Sequence, residues 1–387
     1  MIRRLILACF IAGALFVLHA HHRDWRNWSF NWHAREALAA SPFDGRDEVM
    51  IDRHYSVQPG GTLEVRVGDS NLIVETGDSQ DAQVTVTLSG RDMDRARRYY
   101  ETLRFQVEQS GNVLRITTDD GRNGHISFGN DGGAEITVRA RIPKRFNASL
   151  VTSDGNVSLG SLQGTVTVAT SDGNVSAEDL SGPNVSLKSS DGNISTGSLE
   201  GTSISLVTSD GNIHVADGTG TSIVLHTSDG NIGAERLHGK VDAATSDGNI
   251  QFGQVDGAVV SLRTSDGDVT AEALSTGQAD VATSDGNIHL ARVDGPLRAH
   301  TASGQIDVSL LKPAEVHLRA EDGNIRISAP HALPANLLLR GEEVRVEASG
   351  MGFQGTIKPD QAEGSINGGG PTLDAYTSSG SVVLATE

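Results

Sequence analysis

The chain has 387 residues, of which 45 are glycine and only 4% are aromatic. Glycine is well above the ~7% of ordinary proteins, and so few aromatics argue against a large globular core built on Phe, Tyr and Trp. Acidic residues outnumber basic ones by 49 to 31, for a net charge of −18. That balance argues against a nucleic-acid partner, since phosphate binding needs clustered Lys and Arg. The single cysteine, Cys9, leaves the remainder of the chain without disulfides, thiolate catalysis or Cys-based zinc sites.

At the N-terminus, Arg3 and Arg4 precede an apolar run from Leu5 to Ala20, followed by His21, His22 and Arg23. This is the layout of a secretory signal, and the run is short for a membrane span. Residues 1–20 are therefore expected to be a signal peptide or membrane anchor, and residues 21–50 a juxtamembrane linker. Trp25, Trp28 and Trp32 fall in that linker at helical spacing, a pattern suited to the membrane–water interface. The bulk of the chain is expected to be exported to the periplasm, the cell envelope or the extracellular space. Its membrane contact would come only through the N-terminal segment, with residues 5–20 as the anchor.

Residues 51–148 read as irregular β-structure. Leu63-Glu64-Val65, Leu72-Ile73-Val74 and Val84-Thr85-Val86 alternate as strands do. Between Arg91 and Leu103, Met93, Ala96, Tyr100 and Leu103 share one helical face. This one short helix is expected to belong to an N-terminal cap, because an open solenoid end exposes unpaired edges and an apolar cross-section.

Residues 149–387 repeat one phrase. Ser-Asp-Gly recurs at Ser153, Ser171, Ser190, Ser209, Ser228, Ser246, Ser265 and Ser284, every 18 or 19 residues. The phase continues through Ala302-Ser303-Gly304 and Glu321-Asp322-Gly323, and Ser378-Ser379-Gly380 lies three further periods on. A fixed period near 20 is the signature of a solenoid. Each unit holds two alternating runs, such as Thr165–Thr170 and Asn174–Ala177, separated by an Asp-Gly turn. Four aliphatic columns keep register, headed by Val166, Val168, Val175 and Leu180. The expected fold is all-β: a single-stranded β-solenoid (β-helix) of ~19-residue coils stacked at about 4.8 Å.

The start Pro59-Gly60-Gly61-Thr62-Leu63-Glu64-Val65, followed by iterated Ser-Asp-Gly-Asn-Ile coils, resembles the bacterial putative-adhesin family of unknown function. The resemblance covers roughly residues 51–387. It implies an exported β-strand-repeat protein related to the head domains of autotransporter adhesins. The function it implies is that of a non-enzymatic envelope protein, an adhesin or surface-binding module.

The repeat also places a structural turn ladder on one edge: Asp154-Gly155-Asn156, Asp172-Gly173-Asn174, Asp191-Gly192-Asn193 and Asp210-Gly211-Asn212. Stacked carboxylates about 5 Å apart repel by about 1 kcal/mol even in water. Two answers are open. The aspartates bond their own turn backbones, aided by the asparagine ladder, or calcium sits between coils at Asp172, Asp191, Asp210, Asp229 and Asp247. The spacing differs from that of calcium-binding nonapeptide repeats, which favours the structural answer and a chain without cofactors. A polysaccharide-active β-helix enzyme and a calcium-dependent rod are the alternatives. Catalysis would need a local break with paired acids or a carboxylate beside Lys or Arg, and the coils repeat without one. Histidines show no metal-ligand spacing. No catalytic residue is expected, and the partner is unknown, with carbohydrate or another envelope component as candidates. A flat threonine face rests on one column alone, headed by Thr170.

Overall fold

The computed structural model describes residues 47–78, 80–119, 133–347, 350 and 352–386. The apolar N-terminal run and the three tryptophans lie outside them. The unit from Gly45 to Glu387 is a β-solenoid whose one helix among the described residues is Met93–Leu103. Asp92 caps that helix by accepting from the backbone N–H of Arg95. Ala96 and Leu103 are buried, Met93 and Tyr100 pack against the core, and Tyr100 stacks on Phe105.

Each repeat gives strands too short to be stable alone, and stacking supplies the partner. Val166 pairs in parallel with Val185, and the series continues through Ile204, Ile223, Val241 and Val260. The columns headed by Val168, Val175 and Leu180 run the same way, and all four are buried. Gly218 interrupts the fourth, and Leu237 of the next rung fills the space: a Cβ on Gly218 would lie 2.8 Å from its Cδ2. A fifth buried column, unanticipated in the sequence, runs through Ala177, Thr196, Val215, Ala234, Phe252, Ala271 and Leu290. Burying each Val, Leu or Ile contributes about 1.5–3 kcal/mol, so a narrow aliphatic tube is stable with few aromatics.

Both ends depart from chain order. Gly61–Arg66 lies between Val113–Thr117 and Phe146–Val151, in parallel with each. Ser70–Gly77 likewise lies between Glu135–Pro143 and Val157–Leu159. The chain thus lays down one coil, travels outward to build the next, and returns. The mirror arrangement closes the other end. Thr372–Ser379 inserts between Val316–Asp322 and Ala335–Arg340, and Ser381–Thr386 inserts between Ile325–Ala329 and Glu343–Glu347. Ser378-Ser379-Gly380 is therefore one rung beyond Glu321-Asp322-Gly323, not the three that its sequence spacing suggests. Antiparallel strands finish the stack: Asp81–Ser89 and Glu48–Ser56 at one end, Gln361–Ile366 and Phe353–Lys358 at the other.

Candidate functional site

The turn ladder is assembled from backbone, one buried hydroxyl and one amide. In the second rung the N–H groups of Ser171 and Asp172 both donate to the carbonyl of Ser153 (2.8 and 3.2 Å). The Thr170 hydroxyl, buried inside the turn, shares its hydrogen between the carbonyls of Ser153 and Gly155 at 3.0 and 3.1 Å. It also accepts from the N–H of Gly173 at 3.3 Å. Ser189, Thr208, Thr227, Thr245, Thr264, Thr283 and Thr301 bond the preceding rung in the same way. The threonine column is thus interior, which removes it as an exposed flat face. A hydroxyl can be buried there because its hydrogen-bonding capacity is met.

Asparagine makes the second ladder. Asn156 Oδ1 accepts both the backbone N–H and the side-chain N–H of Asn174, at 2.9 and 3.1 Å. Asn193, Asn212, Asn231 and Asn249 repeat the pattern, and Asp268 then Asn287 extend it. Its first member is Asn71, which accepts the N–H of Asn156 at 2.9 Å. Asn71 carries no Asp-Gly beside it, so the repeat motif passed over it.

The glycine of each turn faces backbone, not solvent. A Cβ on Gly173, Gly192 or Gly211 would stand 1.9–2.0 Å from the carbonyl oxygen of the glycine one rung back. Close approach, not a positive φ, is what requires glycine at these positions. Gly211→Ala is expected to cost at least the ~1–3 kcal/mol of an overpacked core, while Gly352→Ala, with nothing within 4 Å, should melt like the parent. Paired thermal melts check this.

The aspartates do something different from bonding their own turns. Asp172, Asp191, Asp210, Asp229 and Asp247 are exposed. Among the described residues, their carboxylates accept no hydrogen bond and form no ion pair. At the end of the column, burial and the charge of Asp172 raise the Asp154 carboxyl above its usual range. The repulsion is offset by the Thr and Asn ladders and by solvent, not by Asx-turn bonds. Among the described residues, no group of three or more His, Cys, Asp or Glu is arranged to hold a metal ion.

A second glycine column, Gly182, Gly201, Gly220 and Gly239, lies within the paired strands Leu180–Lys188, Ile194–Val207, Ile213–His226 and Ile232–Ala244. An open groove of about 650 Å³ runs across its rungs, lined by Ser181, Glu200, Thr219 and His238 beside Gly182, Gly201 and Gly239. Histidines on the outer faces pair with acids of the next rung, as His289 does with Asp307 at 3.6 Å. The Asp307 carboxylate beside it raises the His289 pKa against the effect of burial. Stability from this pair is therefore present at low pH and lost as pH rises through the raised value.

No curated protein matches the chain. Solved structures similar to it include a putative adhesin from Parabacteroides distasonis ATCC 8503, 15% identical, covering 88% of this chain and 98% of that one at a TM-score of 0.29. A second is a putative adhesin from Bacteroides fragilis NCTC 9343, 12% identical, covering 88% and 97% at a TM-score of 0.23. A third is a putative lipid binding protein from Parabacteroides distasonis ATCC 8503, 13% identical, covering 89% and 98% at a TM-score of 0.26. The Toastrack DUF4097 family model matches residues 61–252 and 238–384, which between them span nearly all of the solenoid, and the chain belongs to that family.

Proposed function

We propose that this chain is a non-enzymatic binding module of the cell envelope, holding columns of polar side chains against carbohydrate or another surface component. The observation that carries the reading is the division of roles within each rung. The Thr hydroxyl, the Gly backbone and the Asn amide are committed to the neighbouring rung, while Ser and Asp beside them face solvent at the same repeat. Such a surface suits a partner of repeating units that makes a weak contact at each rung and gains avidity from their number. Glycosidic cleavage needs two carboxyl groups placed on either side of one bond; the recurring acids here share one column and equivalent surroundings.

The test is a glycan array and a whole-cell binding assay on the full chain, with and without Ca²⁺. Retention without turnover is the expected result, and turnover that disappears on replacing one carboxylate would overturn the reading. Export belongs to the same proposal. Among the described residues no helix is long and apolar enough to cross a membrane. Residues 1–50 fused to a reporter that folds only outside the cytoplasm should give activity that deletion of Leu5–Ala20 abolishes.

Calcium separates the structural ladder from an ion-bridged one. A ligand that binds only the native state stabilises it by RT ln(1 + [L]/Kd), so inter-coil sites would raise the melting temperature in millimolar Ca²⁺. A small shift is expected in calorimetry run first in chelator and then in calcium. A rise of several degrees, lost when Asp210 and Asp229 are both changed to Asn, would move the function to calcium-dependent adhesion.

A further inference from the structure

We propose that the outer face around Tyr376 binds a short anionic saccharide, one that carries carboxylate or phosphate groups. The inference rests on the reading of a carbohydrate-binding module and adds the place and the charge of the ligand. Strand pairing puts His300, Arg319, Tyr376 and Arg340 on consecutive rungs of one outward column. Arg298, His317 and Asp374 form the column beside it. Four rungs span about 14 Å at the strand spacing, room for a short oligosaccharide.

The centre of this patch is fixed in place. The Arg319 guanidinium lies 5.8 Å from the centroid of the Tyr376 ring, donates to the Leu318 carbonyl at 3.1 Å and bonds the Asp374 carboxylate. Asp374 is only 8% exposed, and His317, on the same strand as Arg319, stands 3.5 Å from it. Burial opposes its ionisation, but Arg319 and His317 outweigh burial and hold the carboxyl below its usual range. Its charge is thus taken up within the patch, and the Tyr376 ring stays 39% exposed.

Around this centre the cations are uncommitted. The side chains of Arg298, His300 and Arg340 are exposed and make no hydrogen bond or ion pair among the described residues. The acidic column thins at the same rungs, since Ser303 and Ser379 flank Asp322 where the central coils carry aspartate at each step. Guanidinium groups form paired hydrogen bonds with carboxylate and phosphate, and a tyrosine ring offers an apolar face with a polar tip to a sugar ring. Acids bound the patch: Glu315, 3.0 Å from the His317 ring, Asp280, already paired with Arg263 at 3.3 Å, Glu363, and Glu321 with Asp322 on the adjoining turn. With a net charge of −18 over the chain, that border repels a long polyanion such as nucleic acid and admits a short or sparsely charged ligand.

Isothermal titration of the full chain tests the proposal with five probes: oligogalacturonate, a phosphorylated oligomannose, the neutral counterpart of each, and a single-stranded DNA oligomer. One or both charged saccharides should bind at least tenfold more tightly than the neutral forms, and which of them does so identifies the anionic group. Binding should weaken at least tenfold in the double variant Arg298→Gln/Arg340→Gln and in Tyr376→Ala. It should be unchanged in Arg326→Gln, an exposed position on the strand Ile325–Ala329. All four substitutions are at exposed side chains, and circular dichroism confirms the folding of each variant. Equal binding of neutral sugars, equal binding of DNA, no binding, or insensitivity to the patch variants would each overturn the proposal. Whole-cell retention without any of these titrations would overturn it alone and leave the broader reading standing. Saccharide binding that the variants lose, without cell retention, would support the site and overturn the envelope role.

Discussion

Removal of residues 372–387 is expected to unfold the C-terminal end of the solenoid rather than trim it. The deleted strands lie inside the stack, so Val316–Asp322 and Ala335–Arg340 would each lose their shared partner. Leu373, Val382 and Leu384, all buried, would together forfeit about 5–9 kcal/mol of burial, before the exposure of Leu318, Ile327 and Leu339 is counted. That is comparable with the whole stability of many domains, about 5–15 kcal/mol. In stacked repeats, stability is close to a sum of nearest-neighbour terms, so the damage should stay local. Hydrogen exchange should show protection lost in Ala335–Arg340 and Gln361–Ile366 while Ile194–Val207 keeps it. A truncated chain that still protects Ala335–Arg340 would refute the out-of-order stacking.

The second large effect is Ile213→Asp. Ile213 is 1% exposed, held between Ile194 and Ile232, and a carboxylate there has no donor and no water. The substitution should cost several kcal/mol, against about 0.5–1.5 kcal/mol for Ile213→Val. Burial raises the pKa of the new carboxyl in the folded state, so the variant should recover part of its stability as pH falls, the direction opposite to an ordinary ion-paired aspartate. Thermal melts at pH 7 and pH 4 read both signs. A variant that melts like the parent would mean that the third column does not face the interior.

The central coils were legible because a nearly constant period converts sequence spacing directly into spatial stacking. Val166, Val185 and Ile204 are one unit apart in the chain and one rung apart in space. At the ends that equivalence fails. The 57 residues from Glu321 to Ser378 are three periods long, but the chain spends them on an outer coil and an antiparallel hairpin before returning to the adjacent rung. Pairing depends on which edge is free, and a periodicity does not record that. The burial of the Thr170 column is hidden from the sequence for a different reason. A hydroxyl reads as surface until two carbonyls of the preceding rung are seen to satisfy it. Asn71 and Tyr376 lie where the motif has decayed, so register, not spelling, identifies them.

The interleaved ends also set how the solenoid responds to tension. In a stack built strictly in chain order, a pull on the last strand peels it away one hydrogen bond at a time. Here a load on Ser381–Thr386 meets Ile325–Ala329 on one side and Glu343–Glu347 on the other, and Gly61–Arg66 is clasped the same way at the opposite end. Force must shear two ladders together before either strand is released. Because forced unfolding follows the height of the unfolding barrier and not the equilibrium stability, the grip on both terminal coils would make the solenoid a slow-yielding tether.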